Sequence, residues 1–195
     1  MELPLSSIAA IQSGVVLSRK ETDRVHEAYK YKRLNLRALN LSGRVDHNEL
    51  DVFLSREKIP ATHQTQHGDI IIRLFSPLFP TVIAEEDSGL VVPSQLAIIR
   101  LHDDTEIIPE YLQYCLARQV VSDSLLTTES SVQRTITVKS ISNISIPIVP
   151  VGTQMNIKNI FSVSSQRTRL YQQLIEQEEL QTTTVIESMI RGTLK

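Results

Sequence analysis

From Gln154 to Arg191 the chain contains neither proline nor glycine. An unbroken run of that length predicts a single long helix. Along it, Ile160, Val163, Leu170 and Leu174 recur on alternating three- and four-residue steps, with Arg167 in the same register. That is the seam of a coiled coil, and a lone helix has nothing to bury it against. Downstream the register places Gln177, Gln181 and Thr184 on the seam, while Val185, Ile186, Met189 and Ile190 reappear one step on. The shift reads as a stutter or a change of partner along the helix. The alternative is a helix that folds back on its own domain.

Ahead of the helix, up to Pro150, the sequence has the strand-and-turn texture of a compact domain. The expected class is α+β: a mixed, β-rich domain over residues 1–150, then a long C-terminal coiled-coil helix over residues 151–195. A chain of 195 residues suffices for one domain with a real core plus such an appendage. Trp is absent and aromatics are 5%, so the core falls to Ile, Leu and Val.

Pro4–Gln12 reads as a short amphipathic helix, with Leu5, Ile8 and Ile11 or Ala9 on one face and Gly14 as a left-handed stop. Val15–Ser18, Tyr29–Leu34 and Glu49–Leu54 read as strands, and Ser55–Ile59 as a helical turn. His67-Gly68-Asp69 turns into Ile70–Arg73, an apolar run that suits a buried strand, as does Gln95–Leu101. Thr81–Ala84 and Val91–Pro93 look like a strand pair around the acidic turn Glu85–Gly89. Pro109 opens a helix whose Leu112, Cys115, Leu116 and Val120 face the core. Thr127–Thr137 is a polar loop, and Ile144–Pro150 an edge strand or connector.

The six glycines stand singly, so neither a dinucleotide fingerprint nor a phosphate loop is present, and there is no Gly-x-Ser-x-Gly elbow. His63 and His67 are four apart, but with no third ligand a zinc site is not the expectation. The single cysteine, Cys115, reads as a core thiol and excludes a disulfide framework. The apolar runs are too short to span a bilayer, and Met1-Glu2-Leu3-Pro4 shows no secretory pattern. The cytoplasm is the expected compartment. Nothing resembles an assembled catalytic site, so no metal, no cofactor and no enzyme activity are expected.

Net charge is −2, but eight basic residues lie between Arg19 and Arg44 against Glu21, Asp23 and Glu27. That asymmetry can make one basic face on a near-neutral protein, or simply a solvated surface.

Several stretches together resemble a known family. Leu5-x-x-Ile8-Ala9-x-Ile11-x-x-Gly14 is similar to the opening of a target recognition domain in the specificity subunits of type I restriction–modification systems. Gly68-Asp69-Ile70-Ile71-Ile72 resembles the family's Gly-Asp-Ile strand, and Pro109-Glu110-Tyr111-Leu112-Gln113-Tyr114-x-Leu116 its Pro-Glu-Tyr-Leu helix. Ser130-x-x-Gln133-x-x-Ile136-x-x-Lys139-x-Ile141-x-x-Ile144-x-Ile146-Pro147 resembles the stretch that closes the domain. Gln154-x-x-Ile157 and Gly192-x-Leu194 resemble the two ends of the spacer helix. The chain departs from the family after the Gly-Asp-Ile strand, where Arg73-Leu74-Phe75-Ser76-Pro77 lacks a glycine. It also holds one recognition domain and one spacer where the family typically has two of each.

The resemblance implies a half-length, non-catalytic DNA-reading subunit. Methyltransferase subunits, which would bind S-adenosylmethionine, and restriction subunits would assemble around it. A homodimer through the C-terminal helices would then read an inverted repeat in double-stranded DNA. The helix residues expected at that contact are Ile160, Val163, Arg167, Leu170 and Leu174. Candidate phosphate contacts are Lys20, Lys30, Lys32, Arg33 and Arg37, and candidate base contacts Arg73, Gln133 and Arg134. Two rivals remain: a small nuclease built on Glu85–Asp87, and an interaction module or decoy that binds methyltransferase subunits without reading DNA.

Overall fold

The computed structural model describes residues 1–24, 28–127 and 136–193. Its centre is a four-stranded antiparallel sheet in the order β2 (Ala9–Ser13), β7 (Leu96–Leu101), β5 (Ile70–Arg73), β6 (Thr81–Val82). Both faces of this sheet are covered, which is why its central strands are continuous apolar runs rather than alternating ones. Ile70, Ile72, Ala97 and Ile99 pack on one side, against α1 (Pro109–Ala117) and α2 (Gln119–Thr127). Ile71, Leu96 and Ile98 pack on the other, against Leu34, Leu39, Val45, Ile83, Leu90 and Val92.

Two small ribbons flank the sheet. β1 (Glu2–Pro4) pairs with β8 (Ser145–Pro147), and β3 (Tyr29–Arg33) pairs with β4 (Asp51–Ser55). Phe53, Ile59, Leu17 and Val91 form a third apolar cluster beside the second ribbon. A short helix, α3 (Val138–Ser142), carries a capping box between Thr137 and Ser140 and leads into β8. The final helix, α4 (Val151–Thr193), has 43 residues and so runs about 64 Å. Every described residue beyond Ser165 is exposed, so α4 projects from the domain rather than folding back on it.

Six local expectations fail, the first being the helical turn at Ser55–Ile59, where Ser55 instead ends β4. Pro4–Gln12 is not a helix: Leu5–Ser7 make one 3-10 turn, and Ala9–Ser13 join the sheet beside β7. Nine residues cannot hold a helix by themselves, and the edge of a buried strand offers a full ladder of partners. Gly14 is not a left-handed stop, since positive φ falls on Gly43, Gly68 and Gly89. It is needed because a Cβ there would collide with the carbonyls of Val92 and Pro93. Val15–Ser18 and Val91–Pro93 are not strands either: Val15 and Val91 each make isolated bridges, while β6 pairs with β5. Val120 is exposed, because the chain breaks helix at Arg118 (φ −65°, ψ 139°) and α2 starts a new register that buries Val121 and Leu125.

Candidate nucleic-acid interface and helix joint

The β3–β4 ribbon carries the clearest basic surface. Alternation puts Lys30 and Lys32 on one face, opposite Leu54 and Val52, and both lysines are exposed. Tyr31 and Phe53 take the other face and pack toward Ile59, whose main-chain N donates to the Tyr31 hydroxyl at 3.0 Å. An exposed, unpaired ammonium carried on an anchored strand is free to meet a phosphate.

The other predicted cations are placed differently. Lys20 forms an ion pair with Glu57, whose carboxyl is thereby held below its ordinary range. Arg33 lies half-buried over the Phe53 ring, with Nε 3.4 Å from Asp51 Oδ2 and Nη1 3.9 Å from Glu21 Oε1. Arg37 is exposed on a turn organised by Asn35, whose Oδ1 accepts from the main-chain N of Arg37 and Ala38. Arg73 points into the fold. Its guanidinium sits 4.4 Å from the Phe79 ring centre and donates to the carbonyls of Leu36 and Leu39. Burial lowers its pKa. Gln133 and Arg134 lie outside the described residues.

Two cations on this surface escape a linear reading. Arg56 and Lys58 are exposed, and the Arg56 main-chain N donates to the Lys20 carbonyl at 2.9 Å. The bridge between Glu21 and Ser55 completes the junction. Antiparallel pairing of β3 with β4 is the signal that would have joined Ser55–Lys58 to the basic segment around Lys20.

The family-like motifs prove to be joints. Asp69 is buried and receives a two-pronged clasp from Arg100: Nε to Oδ1 at 2.8 Å and Nη2 to Oδ2 at 2.7 Å. The bond to Asp69 raises the Arg100 pKa. Gly68, at φ 82°, supplies the turn that delivers Asp69. In α1, the Tyr111 hydroxyl donates to the Pro147 carbonyl at 2.7 Å, and burial pushes it well above the usual phenol range. Gln113 Nε2 donates to the carbonyls of Gly43 and Pro80 at 2.8 and 3.0 Å.

The same helix holds α4. Glu110 pairs with Lys158 at 2.5 Å, and the Tyr114 and Phe161 rings meet edge-to-face, 5.5 Å apart. Gln154 is the buried pin: Oε1 accepts from Ile108 N at 3.0 Å, and Nε2 donates to Val149 O at 3.0 Å and Glu106 O at 3.3 Å. The first turns of α4 are thus fastened to the domain by packing and by polar bonds together.

The rival acidic turn does not gather ligands. Glu85 and Glu86 are exposed, while Asp87 is buried with Oδ1 2.8 Å from His47 Nε2. Among the described residues no group of three or more His, Cys, Asp and Glu side chains could hold a metal ion. Burial pushes the Cys115 thiol up, which keeps it protonated and unreactive. No helix among the described residues is long and apolar enough to cross a membrane.

No family model and no curated protein matches the chain. Solved structures do. The HsdS subunit from Thermoanaerobacter tengcongensis superposes with a TM-score of 0.67 at 14% identity, over 89% of this chain and 44% of that one. A chain from a type I R-M system, solved for its complex assembly and conformational transition, gives 0.70 at 13% identity, over 97% and 48%. The fold is that of half an S subunit. The type I S subunit from M. genitalium is also similar, with a TM-score of 0.51 at 13% identity, over 90% of this chain and 41% of that chain. This chain therefore spans less than half the length of the S-subunit structures it matches. The shared fold is one β-rich domain followed by one long helix, in that order.

Proposed function

We propose that this chain is a DNA-recognition half-subunit of a type I restriction–modification system. One observation carries the reading: nearly the whole chain superposes on about half of a longer S subunit, spacer helix included. The domain brings an exposed basic ribbon, and Lys30, Lys32 and Arg37 are its phosphate contacts, joined by Arg56 and Lys58. Arg33 and Arg73 are held by groups of the fold itself and act as supports for that surface. Two copies joined through α4 would present two such domains and read an inverted repeat, because protein symmetry is mirrored in the site. Methyltransferase subunits bind S-adenosylmethionine and carry out the chemistry. This chain supplies the address, working in the cytoplasm with its partners.

A mobility-shift assay with the full chain and its methyltransferase subunits tests the reading, alongside sequencing of methylated bases in cells with and without the chain. The expected result is a shift on one bipartite target and loss of methylation at that target without the chain. Methyltransferase binding with no sequence-dependent shift would make the chain a decoy and overturn the recognition role.

A further inference from the structure

The two strands of the basic ribbon divide their exposed face unequally. Lys30 and Lys32 stand on β3, with Leu54 opposite Lys30 and Val52 opposite Lys32 on β4. One strand is a line of cations and the other a line of aliphatics, about 5 Å away. Among the ribbon residues no carboxylate shares this face. Asp51 takes the reverse side, where it meets Arg33, and Glu57 just past the strand is taken by Lys20. Leu54 is half-buried, but Val52 is 61% exposed.

The ribbon is held along both edges and from beneath. Val91 N donates to the Lys32 carbonyl at 2.9 Å, and Thr22 N donates to the Leu54 carbonyl at 3.1 Å. Below, Phe53 is fully buried beside Ile59 and Val91. Val52 is thus a β-branched side chain, stiff at χ1, on a backbone that is itself fixed. It has little freedom to lose on contact. A rigid apolar tip beside a row of ammonium groups fits a target that sets phosphates next to an apolar group.

Duplex DNA offers that combination in one groove. The major groove admits a two-stranded ribbon, and there thymine presents its C5-methyl group. The minor groove shows hydrogen-bond acceptors and the guanine amino group, none of them apolar. A lysine stem of four carbons outreaches a valine. With this face turned into the major groove, Lys30 and Lys32 extend to the phosphates that wall it, while Val52 meets a base edge.

We infer that the β3–β4 ribbon lies face-down in the major groove and that Val52 selects a thymine by contact with its C5-methyl group. The inference rests on the DNA-recognition reading above. It adds a specificity-determining residue that has no hydrogen-bonding side chain.

The test uses the full chain with its methyltransferase subunits and the target duplex found by methylation sequencing. Each thymine of one half-site, on either strand, is replaced in turn by deoxyuridine, and affinity is read by mobility shift. The swap deletes one methyl group and leaves every hydrogen-bonding atom in place. At one position it should weaken the parent about fourfold, the worth of one buried methyl. V52A should bind the thymine duplex about fourfold more weakly and no longer distinguish deoxyuridine there. V52T keeps a methyl and should keep the distinction. K30A/K32A should weaken both duplexes alike and also keep it. A half-site with no thymine-sensitive position overturns the inference and leaves DNA recognition standing. So does a V52A variant that still distinguishes the two bases, because Val52 would then act only on the fold of the ribbon. No sequence-dependent shift by the parent overturns both.

Discussion

Gln154 Oε1 accepts a hydrogen bond from the main-chain N of Ile108 at 3.0 Å, and this bond ties α4 to the start of α1. Gln154 also donates to Val149 and Glu106 carbonyls, so one buried side chain satisfies three main-chain groups. Replacing it with Ala takes the side-chain partner from one N–H and two carbonyls at a half-buried joint, a loss of about 1–3 kcal/mol. Q154A should lower the thermal midpoint, and hydrogen exchange should rise at Ile108 and along the first turns of α4. Q154E keeps the acceptor but buries a charge and removes both donors, so it should destabilise at least as much at neutral pH. An unchanged midpoint in Q154A would show that packing of Tyr114 on Phe161 holds the joint without it.

Asp69 and Arg100 form the second polar joint, a buried carboxylate gripped by a guanidinium. Removing the cation alone leaves the buried carboxylate with only the Gln66 main-chain N–H, and R100A should cost about 3–5 kcal/mol in chemical denaturation. R100K should recover part of that, because an ammonium keeps the charge but not the two-pronged geometry. Joint replacement of Asp69 and Arg100 by apolar residues of similar volume should be milder than R100A.

What was legible in the chain follows from range. The long helix, the buried runs Ile70–Ile72 and Leu96–Ile99, and the helix opened by Pro109 all announce themselves through periodicity and breakers within a few residues. Pro4–Gln12 carries an equally good helical pattern, yet the edge of β7 takes Ala9–Ser13 as a strand. No local signal reports that competition. Arg73 shows a related limit: an arginine in a loop-flanking position is exposed by default, and here two carbonyls and the Phe79 ring hold it half-buried. Lys30 and Lys32 were visible as a basic run, but Arg56 and Lys58 join them through strand pairing.

Asp87 gives a pH dependence with a defined sign. Its folded-state pKa is raised, chiefly by burial, with His47 opposing. A raised carboxylate contributes stability while protonated and loses it as pH rises, beginning near the ordinary value of about 4 and ending above it. D87N cannot ionise and escapes that loss. The midpoint of D87N relative to the parent should therefore climb as pH is taken from about 4 toward neutrality. A pH-independent difference between the two proteins would mean that Asp87 is not penalised by its burial.

The basic ribbon separates DNA contact from support. Lys30 and Lys32 are exposed, so K30A/K32A should leave the thermal midpoint within about 0.5 kcal/mol of the parent. If each lysine meets one phosphate, the slope of log K against log salt should flatten by about 0.9 for each, on cognate and unrelated duplexes alike. R73A removes the donor to two carbonyls and the cation over Phe79, so it should destabilise the fold by about 1–3 kcal/mol. Its salt slope should match the parent at a temperature where both are folded. A flattened slope in R73A with no change in midpoint would reverse the assignment and put Arg73 on the DNA.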